Sequence, residues 1–233
     1  MTIVLIKSDI RKAGNKKKAK LLAGYFKTRK GEYGEGDIFL GLTVPKSREI
    51  AIKNKDLSLR DIESLLKSKI HEERLIALLL LVYNYEKHPE KQKGIYNFYL
   101  RNTKYINNWD LVDLSSHEIV GNYLLNKDKS VLYKLAKSKT IWERRIAIIS
   151  TAAFIRKNRF SDTLEISRLL LHDKHDLIHK AVGWMLRELG KKDLRVLEDF
   201  LKGHYKSMPR TMLRYSIERF KESKRKQYLK GKI

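Results

Sequence analysis

Apolar residues recur along this chain three and four positions apart, while strict alternation is scarce, so the pattern predicts helices and almost no strand. Leu, Ile, Ala, Lys, Glu and Arg dominate the periodic stretches. The three prolines, Pro45, Pro89 and Pro209, each stand where a helix would begin. A first helix is expected over 15–28, with an apolar stripe at Leu21, Leu22, Tyr25 and Phe26. The glycine-rich stretch 30–41 follows. Its glycines are not spaced as in a phosphate-binding or dinucleotide-binding loop, and no strand precedes them, so a shaped loop is expected. Helices are predicted next over 45–54 and 59–67, the second with Ser58 and Asp61 in a capping arrangement.

From residue 71 the pattern repeats. Long helices are expected at 71–85, 109–125, 141–157, 177–189 and 209–220, with shorter ones at 90–101, 129–138, 162–171 and 193–202. Setting Arg74, Asp110, Arg145 and Lys180 in register gives spacings of 36, 35 and 35 residues. A helix pair recurring at that interval predicts an all-α, HEAT-like helical-repeat solenoid, read as a single domain over 1–233. Stacking would align Trp109, Arg144, Arg145, Lys180, Trp184, Arg187, Arg210 and Arg214 along one side, giving a concave basic face.

Charge then narrows the partner. The chain carries 51 Lys/Arg against 27 Asp/Glu, a net charge of +24. Such an excess repels itself, so a densely negative partner is expected, nucleic acid before an anionic membrane surface. Residues 1–30 hold ten Lys/Arg and one acid, and 201–233 hold eleven and two, so the excess is concentrated at the ends. There is no cysteine, which excludes disulfides and Cys-ligated metal sites. No apolar run reaches the roughly 18 residues of a membrane span. The apolar run at 1–7 lacks the basic start and cleavage site of a signal peptide. A cytoplasmic monomer with no membrane association is expected.

The candidate chemistry lies in 107–117, Asn-Asn-Trp-Asp-Leu-Val-Asp-Leu-Ser-Ser-His. On a helix, Asp110 and Asp113 would share a face, with Trp109 close by and Leu111, Val112 and Leu114 turned to the core. A structural role for this segment, with the acids neutralising nearby cations and the indole filling the core, is the competing reading. Ser115-Ser116-His117 lacks the glycines and strand of a nucleophile elbow. His172, His175 and His179 lie among lysines and lack a metalloprotease pattern, so no metal is expected. Trp142 reads as packing. Gly183 costs its helix about 1 kcal/mol relative to Ala, which suggests a backbone or a ligand close to Trp184.

Four segments resemble the AlkD-like DNA alkylation repair family of HEAT-like alkylpurine glycosylases. They are Asn-Trp-Asp-Leu-Val-Asp at 108–113, Trp-Glu-Arg-Arg-Ile-Ala at 142–147, His-Lys-Ala-Val-Gly-Trp-Met-Leu-Arg-Glu at 179–188, and the Phe-Leu-Gly…Pro…Arg stretch of 39–48. The likeness spans about 15–229 in order. It implies a helical solenoid cradling duplex DNA that contains alkylated purines, with hydrolysis of the N-glycosidic bond of lesions such as 3-methyladenine and 7-methylguanine. It also implies a catalytic pair in Trp109 and Asp113 and a second sugar-facing tryptophan in Trp184. Arg145 would be the active-site arginine, Arg187 a DNA contact and Tyr25 an early-helix tyrosine. The 30–41 loop departs from the family in length and glycine content. No cofactor is called for. A non-catalytic protein binding duplex or branched DNA explains charge and repeat equally well, but leaves Trp109, Asp113 and Trp184 without a role. A HEAT-type protein-interaction module leaves the charge unexplained.

Overall fold

The structure is a computed structural model that describes residues 3–233; Met1 and Thr2, which begin the N-terminal apolar run, lie outside the described residues. The chain forms two compact units, one ending at Ser115 and one beginning at Ser116. Among the described residues the fold is all-α, and the one extended pairing is an isolated parallel bridge between Ile38 and Ile70. No described helix is long and apolar enough to cross a membrane.

The first unit contains α1 (Ile3–Lys12), α2 (Lys16–Tyr25), α3 (Val44–Lys53), α4 (Leu59–Leu66), α5 (His71–Lys87), α6 (Gln92–Arg101) and α7 (Trp109–Asp113). Helix α5 is its axis. Leu75 through Val82 are all buried, as expected of a helix that is apolar all round. Helices α3, α4 and α6 pack on it. Helix α4 starts as its sequence predicts, with Ser58 Oγ accepting the Asp61 N–H at 3.2 Å.

The second unit opens with a π-helical turn (His117–Gly121). It continues through α8 (Asn122–Leu124), α9 (Ser130–Ala136), α10 (Ile141–Ser150), α11 (Ala152–Arg156), α12 (Ser161–Leu169), α13 (Asp176–Lys192), α14 (Leu194–His204), α15 (Arg210–Ser216) and α16 (Glu222–Leu229). Here the repeat is visible as packing: α10 lies against α13 and α13 against α15, while α9, α12 and α14 cover them.

Three expectations need correction. The stripe on the first helix does not face the core: no α2 residue is buried, and Leu21 and Tyr25 are 68% and 65% exposed. Only Phe26, one step beyond the helix, turns inward. Backbone contacts hold α2 in place. Asn15 N–H donates to Leu40 C=O at 2.7 Å, and a Cβ on Gly41 would stand 2.2 Å from Asn15 C=O. The helix expected over 109–125 is interrupted, because α7 ends at Asp113 and the π-turn starts at His117. The π-turn ends at Gly121, where a Cβ would meet Ser150 C=O at 2.2 Å, so only glycine allows this approach to α10.

Gly183 likewise serves packing. Its missing Cβ would lie 2.5 Å from Tyr215 Cβ and 2.6 Å from Met212 C=O, so it is α15 that approaches, not a ligand. Finally, two helices were not anticipated. Helix α1 anchors through Ile6 and Ile10. The basic tail contains α16, docked by buried Tyr228 against Tyr205 and Phe220 at ring distances of 5.4 and 5.6 Å.

Candidate active site

In the first unit the site is built around α7. Asn108 caps it, its side chain accepting the Trp109 N–H at 2.8 Å. Five residues are too few to hold a helix by themselves, so α7 depends on its surroundings. Leu111 and Val112 are fully buried, whereas Trp109, Asp113 and Leu114 are half-buried. The Trp109 indole stacks on Phe26 at 5.1 Å and meets the exposed Tyr25 edge-on at 5.9 Å. Phe26 stacks in turn on Phe39, and Phe39 on His71 at 4.4 Å.

The two carboxylates of the motif have separated roles. Asp110 is buried and bound to His71 Nε2 at 2.8 Å, while its second oxygen accepts the Leu111 N–H at 2.9 Å. The other His71 nitrogen faces Asp37 at 3.3 Å, which also receives Arg74 at 2.7 Å and Asn108 at 3.3 Å. Asp113 is half-buried on the same short helix. Its charge reaches the buried Tyr99: burial foremost, with Asp113 adding to it, pushes that phenol far above its ordinary range. Tyr99 is kept neutral and shares a 2.9 Å hydrogen bond with Ser115 Oγ.

The titration of the network follows from its contacts. Burial opposes charge on His71, but Asp110 and Asp37 outweigh it and raise the pKa. Burial opposes charge on Asp37 too, yet His71 and Arg74 hold its carboxyl below the usual range. The loop that brings Asp37 here is fixed by Glu72, whose buried carboxylate accepts the N–H groups of Leu40, Gly41 and Leu42 at 2.7–3.2 Å.

In the second unit Trp184 is half-buried on α13 and walls a cavity of about 540 Å³. Ile149, Ala152, Ile155 and Met185 form the apolar side, and His117, Arg156, Lys191 and Lys192 supply polar and cationic groups. The indole Nε1–H donates to Glu188 at 3.2 Å, and Lys191 holds the same carboxylate at 2.7 Å. Burial pushes the Glu188 pKa up, but Lys191 and Arg187 together bring it below its ordinary value.

The cations named from sequence divide into two sets. Arg144 is committed to structure, bound to Asp173 at 2.6 Å and to the carbonyls of Ser138 and Lys139. Arg145 is buried and donates to Leu177 C=O at 2.5 Å. Arg187 pairs with Glu188 and Glu218, and Lys180 with Asp176 at 2.7 Å. Arg210 and Arg214 are exposed, the former donating to Leu229 C=O. Two of the histidines weighed as ligands do local work: His175 accepts the Leu177 N–H at the start of α13, and His179 bonds Asp173 C=O.

Sequence reasoning missed His71, Asp37 and Phe39 around α7, and His117, Arg156 and Glu188 around Trp184. Only the Asn108 cap carried a local signal. Asp37 and His71 are 34 residues apart, and no spacing rule joins a loop acid to a helix start at that distance.

A family described as DNA alkylation repair enzyme matches residues 6–220. Among solved structures, one from Enterococcus faecalis, described as a predicted DNA alkylation repair enzyme, superimposes with a TM-score of 0.70 at 16% identity. It covers 90% of this chain and 97% of its own. At that identity the likeness speaks for the fold. No curated protein matches the sequence significantly.

Proposed function

The chain belongs to the DNA alkylation repair enzyme family, and on that premise we propose that it is a monofunctional glycosylase that hydrolyses the N-glycosidic bond of cationic, alkylated purines in duplex DNA. One observation carries the reading: α7 holds Asp110 on His71 and places the half-buried Asp113 one helical turn from the partly open Trp109 indole.

A purine alkylated at N3 or N7 is already positively charged and leaves without a strong general acid. The difficulty is the sugar, which becomes oxocarbenium-like as the C1′–N bond lengthens. An ionised carboxylate beside C1′ stabilises that charge and orients the attacking water. The face of Trp109 adds a cation–π contribution, and Trp184 is assigned as a second indole for the sugar–phosphate chain. Water adds at C1′, the C1′–N electrons leave with the neutral base, and the proton released from water passes to solvent through Asp113.

Affinity comes from cations. The net charge of +24 and the exposed Arg210 and Arg214 suit a polyanion. The half-buried Arg187 is assigned to DNA as well, whereas Arg144 and the buried Arg145, contrary to expectation, hold the fold. The test is to incubate the protein with methylated duplex DNA and chromatograph the released bases. Free 3-methyladenine or 7-methylguanine supports the assignment. Salt-dependent duplex binding with no base release supports a non-catalytic DNA-binding protein in its place.

A further inference from the structure

The network beneath α7 has an unusual stoichiometry of protons. Both ring nitrogens of His71 face carboxylate oxygens, Nε2 toward Asp110 at 2.8 Å and Nδ1 toward Asp37 at 3.3 Å. A neutral imidazole has one N–H and one lone pair, so it could donate to one acid and would turn its lone pair on the other. An imidazolium donates to both. The ring is 1% exposed, so water cannot take the place of either partner. Every charged group facing it belongs to this set: Asp37 from the loop, Asp110 from α7, and Arg74 one turn along α5. The Arg74 guanidinium, which can only donate, lies at the 3.5 Å limit of a hydrogen bond from Nδ1 and makes its short contact with Asp37 at 2.7 Å. The nearer Asp37 oxygen at 3.3 Å is therefore the partner assigned to an Nδ1–H. Phe26 and Phe39 close the ring faces.

This network ends on the residues either side of Trp109. Asn108 donates to Asp37 and caps the Trp109 N–H, and Asp110 is the direct partner of His71. Phe26, which stacks on Trp109, also lies against His71 at 5.1 Å. Both the backbone of α7 and the plane of the indole are therefore referred to one buried ring. We propose that His71 is a positioning residue: as an imidazolium it clamps Asp110 to Asp37, and so fixes where α7 presents Trp109 and Asp113 to the DNA. The consequence for catalysis rests on the glycosylase reading; the clamp itself does not.

The experiment has a structural arm and a kinetic arm. In ¹⁵N-labelled protein, the imidazole correlations of His71 at pH 7 are expected to show both nitrogens protonated. The three indole N–H resonances, one for each tryptophan, are assigned through Trp109→Phe and Trp184→Phe. His71→Gln, whose single amide nitrogen cannot stand between both acids as the two ring nitrogens do, should move the Trp109 resonance and leave those of Trp142 and Trp184 in place. In the kinetic arm, His71→Gln and Asp110→Asn should each slow single-turnover excision roughly ten- to hundredfold, as small misplacements of reacting groups do. Affinity for undamaged duplex should stay within about twofold. The double variant should be no slower than the worse single one, because both act through one contact.

A single-protonated His71, an unmoved Trp109 resonance, or additive losses in the double variant would overturn the proposal. If His71→Gln does not fold, the wild-type imidazole spectrum and Asp110→Asn decide alone. If no protein releases base, the glycosylase reading falls, and the indole and imidazole spectra still settle the clamp.

Discussion

Trp109 and Trp184 are both half-buried indoles beside carboxylates, yet they are held by opposite means. Trp184 sits within a 17-residue helix whose regular period sets its direction, and its positioning needs one glycine to let α15 approach. Trp109 opens a five-residue helix whose direction is set by contacts from the loop and from α5. The first geometry is local in sequence, and the second depends on residues 34 to 71 positions apart. A helical repeat supplies a ready-made surface, but the acid proposed for catalysis stands where the repeat is broken and a polar network takes over.

Substitutions can break this comparison. Asp113→Asn should lower single-turnover excision by about 10²–10³, the usual loss of one preorganised electrostatic contact. Undamaged duplex should bind equally well or more tightly, since a negative charge has left a phosphate-facing surface. An unchanged excision rate would remove Asp113 from the mechanism. In the second unit, Gly183→Ala should destabilise the fold by about 1–3 kcal/mol despite alanine's better helix propensity, because the new methyl meets the backbone of α15. Chemical denaturation measures this, and a stabilised variant would show that α15 shifts freely.

Smaller effects sharpen the contrast. Arg214→Gln should reduce the slope of log K against log salt by about 0.9 and weaken damaged and undamaged duplex alike. Rate without affinity at Asp113, and affinity without rate at Arg214, would place chemistry and electrostatics in different units. Acid–base behaviour should divide the same way. His71 has a raised pKa, so its stabilisation is full below its unfolded value of 6.5 and is lost as pH rises through its folded value. His175 and His204 have lowered values, from burial first and cationic arginines with it; they favour the fold above 6.5 and oppose it as pH falls. Raising the pH from about 6 to 8 should therefore lower amide protection, measured relative to the intrinsic exchange rate at each pH, in α5 and α7 and raise it in α13 and α14. Movement in the same direction in both units would remove the clamp's charge from the account.

The helical architecture was legible because burial imposes its period on the sequence. The repeat of about 35 residues emerges as the packing of α10, α13 and α15, and the Ser58 cap forms as written. The tryptophans and the acid pair were legible as residues, but the contacts that hold them were not. Asp110 and Asp113 look alike by residue type; the family resemblance singles out Asp113, and what the sequence could not show is that His71, brought across from α5, binds Asp110. The stripe on α2 misled for a related reason: apolar spacing signals a face, not what covers it. Gly183 left two alternatives open, because a missing side chain records a close approach without naming what approaches, and the backbone alternative is the one the structure shows.

Helix α2 carries a consequence of its own. It is mounted on the main chain of Leu40 and Gly41, and none of its side chains is buried. Folding therefore exerts almost no veto over its sequence, while Lys16, Lys17, Lys18, Lys20, Leu21 and Tyr25 all lie exposed. Selection can rewrite its exposed lysines and Leu21 without retuning a core, whereas Tyr25 remains tied to Trp109. It is the part of the molecule where relatives can diverge most cheaply, and where a designer could graft a new preference with the least risk to the rest.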